Sequence, residues 1–177
     1  GADHLVDVDA RGFTPQEGLM MATRAGSIDP GIIFDRLRDG RRTAASVEED
    51  LLRHSGLLGI GGSADMRALM DRAAAGDRAA RLAIDMFVDR AAEAIAGAAT
   101  RLHSLDAVVF TAGIGENQPE VRRRIGAGAG WLGVELDEAA NASGEQRISA
   151  PGSRVAAYVL PTDEELMIAR HVGALLG

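Results

Sequence analysis

The residues best suited to chemistry form the segment 113–117, Gly-Ile-Gly-Glu-Asn, called here the GIGEN segment. It follows the apolar run 108–110, which is typical of a buried strand, and it comes directly before a predicted helix start. Main-chain N–H groups at a helix start attract anions, and glycine lets a ligand approach the main chain closely. The arrangement predicts either a nucleotide-binding loop or a plain tight turn. It is not a dinucleotide-binding fingerprint, because that pattern requires a third glycine where Gln118 stands.

A second glycine-rich stretch, residues 59–62, leads into the predicted helix start Ser-Ala-Asp-Met-Arg at 63–67. Two such stretches in one chain favour nucleotide binding. The alternative is that these glycines only allow one part of the chain to pack closely against another. The residues alone leave both interpretations open.

Arg24 follows the apolar stretch Gly-Leu-Met-Met-Ala at 18–22. An arginine in apolar surroundings needs an anionic partner, and Glu17 or Asp29 would supply one in a structural ion pair. A transferring phosphoryl group is the other candidate, because a planar guanidinium binds its oxygens better than an ammonium does.

Three carboxylates, at positions 163–165, follow an apolar run that ends at Leu160. Thr162 and Glu165 form a predicted capping box, which accounts for Glu165. Asp163 and Glu164 either complement the helix dipole or hold Mg²⁺ through water, for which one or two carboxylates suffice.

Other conspicuous residues are predicted to be structural. Met20 and Met21 are expected in the core, and the run Arg122–Arg124 is expected on a solvated helix face. The four histidines share no spacing and receive no catalytic role: His4, His54, His103 and His171.

The composition excludes several classes of function. All 19 residues counted as Lys or Arg are arginine, so a Walker A loop, a protein-kinase strand lysine and Schiff-base chemistry are excluded. A net charge of -7 argues against nucleic acid as a partner. No signal-peptide pattern or membrane-length apolar run is seen, and there is no cysteine, so we expect a cytoplasmic protein away from the membrane.

The elements that would position these residues are predicted from periodicity and capping. In the first half we expect a strand at 3–9 and helices at 14–26, from Asp29-Pro30 to Gly40, from a Ser46–Glu49 capping box to Gly56, and at 65–75. The second half is predicted to contain a long helix at 78–102, an evenly buried strand at 106–113, a helix from Pro119, a loop at 134–150, a strand at 154–161 and a last helix. Alternating helices and strands favour an α/β fold.

Four stretches, in order and over nearly the whole chain, resemble the C-terminal portion of the acetate kinase family: "GFTPQEGLMMATRAGSIDPGII", "SGLLGIGGSADMR", "FTAGIGENQPEVRRRI" and "LPTDEELMIAR". The resemblance implies an actin-like or sugar-kinase-like (ribonuclease H-like) α/β ATPase fold, in which two similar domains enclose a nucleotide cleft. It implies that residues 1–177 are the single C-terminal nucleotide-binding domain of such a two-domain kinase.

The resemblance also implies roles for ten residues and two cofactors, ATP/ADP and Mg²⁺. Family positions match catalytic Arg24, which would stabilise the phosphoryl-transfer transition state; nucleotide-binding Asp65, Met66, Arg67, Gly113, Ile114, Gly115, Glu116 and Asn117; and metal-associated Glu164.

The activity implied is transfer of a phosphoryl group from ATP to acetate, giving acetyl phosphate and ADP, by a homodimer. The alternatives are a propionate or butyrate kinase, or a non-catalytic ATP-binding or dimerisation module. Family members are more than twice as long and carry the acetate pocket upstream, so the isolated chain is expected to be inactive. Residues 9–13 read Asp-Ala-Arg-Gly-Phe, which departs from the family's D-T-S-M-G-F run.

Overall fold

A computed structural model describes residues 13–14, 16–38, 40–102, 104–162 and 172. In chain order its elements are α1 (Pro30–Arg38), α2 (Ala44–Arg53), α3 (Gly56–Gly61), α4 (Met66–Ala74), α5 (Arg78–Leu102), β1 (Ala107–Phe110), α6 (Ala112–Asn117), α7 (Pro119–Gly128), a 3₁₀ turn (Gly130–Leu132), α8 (Glu138–Ser143) and β2 (Ala156–Val159). The predicted strand at 3–9 lies outside the described residues, as does nearly all of the predicted last helix. Among the described helices, none is both long enough and apolar enough to cross a membrane.

Helix α5 is the longest described element, and its predicted bounds are confirmed. Asp77 caps its first turn, because its carboxylate accepts the N–H groups of Ala79 and Ala80 at 2.9 and 3.1 Å. Helices α3, α4 and α7 pack against α5. Its buried residues are mostly small, which lets these neighbours approach closely: Ala80, Ala83, Ile84, Val88, Ala91 and Ala99.

Strands β1 and β2 pair in parallel, in register from Ala107 opposite Ala156 to Phe110 opposite Val159. The connection between them contains α6, α7 and α8, so the predicted order of long helix, strand, helix and strand is confirmed as far as β2. The expectation of an evenly buried β1 is wrong: Val108 and Phe110 are buried, whereas Val109 is 49% exposed. The reason is that the described core covers one face of this two-stranded sheet, so burial alternates along the strand.

The predicted helix at 14–26 is wrong, because the described part of this segment is irregular. Its main-chain groups form hydrogen bonds to other elements instead of the regular hydrogen bonds of a helix. The Ala25 N–H donates to Leu51 O at 3.0 Å. Thr23 O accepts the Ser55 N–H at 2.9 Å, and Met21 O accepts the Leu57 N–H at 3.0 Å. These bonds fasten the segment to the end of α2 and the start of α3. Met20 is buried in the core, as predicted, whereas Met21 is only partly buried.

Helix α2 is present but begins earlier than predicted. Its N-cap is Thr43, whose hydroxyl accepts the N–H of Ser46 while the Ser46 hydroxyl accepts the N–H of Thr43, both at 3.1 Å. The capping box predicted for Ser46 and Glu49 is therefore wrong: Ser46 is the third helical residue of the true box. Helices α1 and α4 agree with their predicted positions.

Two segments predicted as loops are helical. The glycine-rich stretch 59–62 belongs mostly to α3, and a Cβ on Gly61 would lie 2.6 Å from Leu69 Cδ2 and 2.9 Å from Ala83 Cβ. Gly61 is therefore explained by close packing against α4 and α5 rather than by a ligand. Helix α8 lies within the predicted 134–150 loop, and it is capped by Asp137, which accepts the N–H of Ala140 at 3.0 Å.

Candidate functional site

The GIGEN segment lies at the carboxyl end of β1, but it is a short helix, α6, rather than the predicted loop. Its two glycines serve different purposes. A Cβ on Gly115 would lie 3.2 Å from the carbonyl carbon of Phe110, so Gly115 allows α6 to lie tightly against the strand end. Gly113 is exposed with open space beside it, so the main chain there is accessible from outside.

Glu116 links the carboxyl ends of both strands. Its Oε1 accepts the Thr162 N–H at 3.0 Å and the Thr162 hydroxyl at 3.3 Å, just beyond β2. The N–H of Leu160 bonds to Phe110 O at 3.0 Å and extends the strand pairing to this edge. Ligands of open α/β sheets bind at this edge, which supports the predicted location of the site.

Arg122 on α7 is the main functional candidate that sequence reasoning missed. The expectation of a solvated face is wrong for it, since Arg122 is only 1% exposed. Burial lowers the pKa of its guanidinium, which still stays charged because the ordinary pKa of arginine is above 12. The available signal was helical spacing: the buried residues of α7 are Val121, Arg122, Ile125 and Gly126, which share one face.

Arg122 donates four hydrogen bonds to neutral oxygens. Nη1 donates to Gly115 O and Glu116 O, both at 2.9 Å, within the GIGEN segment. Nε donates to Asn141 Oδ1 and Nη2 to Asn141 O, both at 2.7 Å, on α8. The guanidinium therefore joins the GIGEN segment to α8.

The predicted site residues at the start of α4 differ in their environments. Asp65 caps α4 by accepting the Arg67 N–H at 2.8 Å, and Met66 is buried in the core, so both side chains have structural roles. Arg67 is exposed and lines a cavity of about 440 Å³ together with Gln118 and Pro119. The structure thus brings Arg67 beside the residue that follows the GIGEN segment, in a cavity of a size typical of ligand sites.

Arg24 is half-buried in the segment fastened to α2 and α3. Neither predicted structural partner pairs with it: Asp29 accepts the Gly31 N–H at 2.7 Å, and no ion pair joins Glu17 to Arg24. Within the described ranges the Arg24 guanidinium has no hydrogen-bond or ion-pair partner. No described hydrogen bond joins Arg24 to the GIGEN segment or to Arg67.

Glu164, the predicted metal-associated residue, lies outside the described residues. In the described part of the chain, no group of three or more His, Cys, Asp or Glu side chains is arranged to hold a metal ion. The Mg²⁺ assignment stays a prediction.

A larger cavity, of about 770 Å³, lies between the segment 18–32 and helices α2, α3 and α5. None of the predicted site residues that the structure describes lines it. Among the predicted nucleotide-binding residues, Arg67 alone lines the smaller cavity, next to Gln118.

A parallel strand pair connected by helices, with an accessible glycine segment at the strand ends, defines an α/β domain with a candidate ligand site at the sheet edge. The model of the Acetokinase family matches residues 5–170. The chain belongs to that family.

Named relatives agree with this assignment. The chain is 52% identical over 167 residues to the acetate kinase of Rhodopseudomonas palustris strain TIE-1, with 93% of this chain and 41% of that protein covered. It therefore spans about two fifths of the length of that curated relative.

Solved structures confirm the α/β fold. The crystal structure of Porphyromonas gingivalis acetate kinase matches with a TM-score of 0.86 and 36% identity, covering 95% of this chain and 43% of that one. A propionate kinase from Francisella tularensis subsp. tularensis SCHU S4 matches with a TM-score of 0.86 and 40% identity, covering 91% and 42%.

Proposed function

We propose that this chain forms the nucleotide-binding part of a phosphotransferase that converts ATP and acetate into acetyl phosphate and ADP. In this reaction a carboxylate oxygen of acetate attacks the γ-phosphorus of ATP, and the bond from that phosphorus to the bridging oxygen of ADP breaks. Family membership and the names of the relatives support the proposal. The isolated chain is expected to make no acetyl phosphate, since it spans about two fifths of a relative's length.

The observation that carries the proposal is the GIGEN segment at the common end of β1 and β2. Gly113 leaves the main chain accessible there, and Arg67 lines the adjacent cavity. We propose that the adenosine part of the nucleotide lies against these elements, with the start of α4 on one side, where Asp65 and Met66 would contribute main-chain groups and Arg67 its side chain. The five residues 113–117 would lie on the other side.

We propose that Arg24 stabilises the charge that develops on the transferring phosphoryl group. A half-buried guanidinium without an ion-pair partner in the described ranges supports this role, because it is available for an anionic ligand. Removal of a transition-state arginine lowers turnover by roughly 10³–10⁵.

Steady-state kinetics of Arg24→Ala in the complete protein that contains this chain test the assignment. We expect a large fall in kcat with little change in KM for ATP. A matched control is Arg53→Ala, which removes an exposed ion pair to Glu49 at 3.2 Å and should leave both constants unchanged. An Arg24→Ala protein that keeps its kcat but melts at a lower temperature would show a structural role instead.

The alternative substrates are propionate and butyrate. The Francisella propionate kinase has the same TM-score as the Porphyromonas acetate kinase and a slightly higher identity to this chain, so the fold favours neither acid. Comparison of kcat/KM for acetate, propionate and butyrate in the complete protein tests the choice. A protein that binds ATP but phosphorylates none of the three acids would support a non-catalytic module.

We further propose that Mg²⁺ assists the reaction and that Glu164 holds it through water, as the family resemblance implies. We also propose that the protein is a cytoplasmic homodimer. The exposed apolar residues Leu82 and Met86 on α5 support self-association.

A further inference from the structure

The carboxyl end of α6 has main-chain oxygens that the helix itself leaves unpaired. An α-helix leaves its last four carbonyls without internal partners. Gly115 O would ordinarily accept the N–H of residue 119, but residue 119 is proline and has none. The Arg122 guanidinium donates to this oxygen instead, and the same nitrogen also donates to Glu116 O.

The remaining donors of Arg122 hold the neighbouring helix. Nε and Nη2 contact Asn141, which is only 3% exposed, and the Asn141 side-chain amide donates to Pro119 O at 2.9 Å. Arg122 and Asn141 therefore fix the turn between α6 and α7 from two sides. Arg122 donates to the Gly115 and Glu116 oxygens of this turn, and Asn141 donates to its Pro119 oxygen.

The charge of Arg122 is unusual for a purely structural residue. In the described ranges it makes no ion pair with a carboxylate, and all four of its hydrogen-bond acceptors are neutral oxygens. Burial of an uncompensated cation is unfavourable, and an apolar side chain of similar volume often serves stability better. The hydrogen bonds of Arg122 stabilise this turn, but a neutral donor would form such bonds without the cost of burying a charge.

We propose that Arg122 is a positioning residue that sets the GIGEN segment for nucleotide binding, an inference that rests on the function proposed above. Because a peptide group is trans, a carbonyl directed at Arg122 turns the next N–H away from it. Arg122 thereby orients the peptide groups that follow Gly115 and Glu116, so that their N–H groups point away from the guanidinium. The positive charge of Arg122 lies next to the GIGEN segment and favours the binding of an anionic ligand there.

The test measures ADP binding by calorimetry in the complete protein that contains this chain, with Arg122→Ala and Arg122→Lys. Loss of the donors removes the hydrogen bonds to Gly115 O and Glu116 O in the GIGEN segment, so we expect ADP affinity to fall by about tenfold or more in Arg122→Ala. Arg122→Lys keeps the charge without the planar fork and should bind with intermediate affinity. Millimolar guanidinium, a roughly non-denaturing amount, should restore part of the affinity of Arg122→Ala.

Arg124→Ala is the matched control on the same helix. Arg124 Nη2 contacts Asp85 on α5 at 2.6 Å, and no described hydrogen bond joins Arg124 to the GIGEN segment. Its loss should lower the melting temperature and leave ADP affinity per folded molecule unchanged, with no response to guanidinium. Equal loss of affinity in Arg124→Ala, or absence of guanidinium rescue in a folded Arg122→Ala, would overturn the positioning role.

The outcomes separate this inference from the proposed function. If the unsubstituted protein binds no ADP, the proposed function fails and the role of Arg122 falls with it. If the unsubstituted protein and both Arg122 variants bind ADP equally, only the role of Arg122 is overturned. Should Arg122→Ala fail to fold, Arg122→Lys decides, because wild-type affinity in that variant contradicts the need for a planar fork.

Discussion

Gly61 offers a direct test of whether the glycines at 59–62 serve packing or a ligand. The perturbation is Gly61→Ala, which adds one methyl group where Leu69 Cδ2 and Ala83 Cβ would lie at 2.6 and 2.9 Å. Leu69 and Ala83 are both 0% exposed, so neither has free space into which it can move. The added methyl must therefore separate α3 from α4 and α5.

The expected magnitude follows from two opposing effects. Overpacking of a filled core costs about 1–3 kcal/mol. Replacement of glycine by alanine inside a helix returns about 0.5–1 kcal/mol. We expect a net destabilisation of about 1–2 kcal/mol, which for a chain of this size lowers the melting temperature by roughly 2–8 °C.

Thermal denaturation followed by circular dichroism measures this change, and Gly97→Ala is the matched control. Gly97 lies inside α5 with nothing within 4 Å of an added Cβ, so only the helix-propensity gain applies and the melting temperature should rise slightly. The packing explanation is refuted if Gly61→Ala melts at or above the wild-type temperature. Reduced ADP affinity at unchanged stability would restore the ligand-loop interpretation.

Three further predictions concern the titration of a cap, the metal and self-association. The N–H of Ala80 and the Arg72 guanidinium lower the pKa of Asp77, so the stabilisation of the fold by the Asp77 carboxylate is present above pH ~4 and is lost as the pH falls through the lowered pKa. Asp77→Asn should therefore flatten the dependence of the melting temperature on pH between about pH 5 and about pH 3. An unchanged pH dependence contradicts this. Glu164→Gln in the complete protein should raise the Mg²⁺ concentration for half-maximal rate, whereas an unchanged Mg²⁺ dependence with a lower melting temperature would identify a helix-terminus residue. Sedimentation of this chain at roughly tens of micromolar should show a dimer, and a lone 18.5 kDa species argues against it.

The sequence predicted long or strongly patterned elements well and short ones poorly. Helix α5 has 25 residues, so its apolar stripe repeats often enough to be recognised from spacing alone. Helices α3, α6 and α8 have six residues each, which is less than two turns, and two of them contain glycines that normally indicate breaks. Tertiary packing stabilises such helices, and packing partners cannot be seen in a local window.

The candidate site was predictable where it depends on main-chain accessibility and less so where it depends on distant partners. The GIGEN segment was found from its glycines and from the strand before it. The contact between Glu116 and Thr162 spans 46 positions and has no local signal. Arg122 was predicted to be solvent-exposed because it stands in a run of three arginines. Its helical spacing from Val121 and Ile125, however, places it on the buried face of α7.

The parallel pairing of β1 with β2 has a consequence for the order of folding. Residues 107 and 156 pair although 49 positions separate them, whereas the contacts of α3 and α4 with α5 join closer parts of the chain. Closing a long loop has an entropic cost that must be met before the distant contacts form, so local helical contacts form earlier. The strand-end edge that holds the GIGEN segment and Thr162 is therefore expected to assemble last. Its amides should be among the first to exchange with solvent deuterium under native conditions, and a bound nucleotide would slow that exchange.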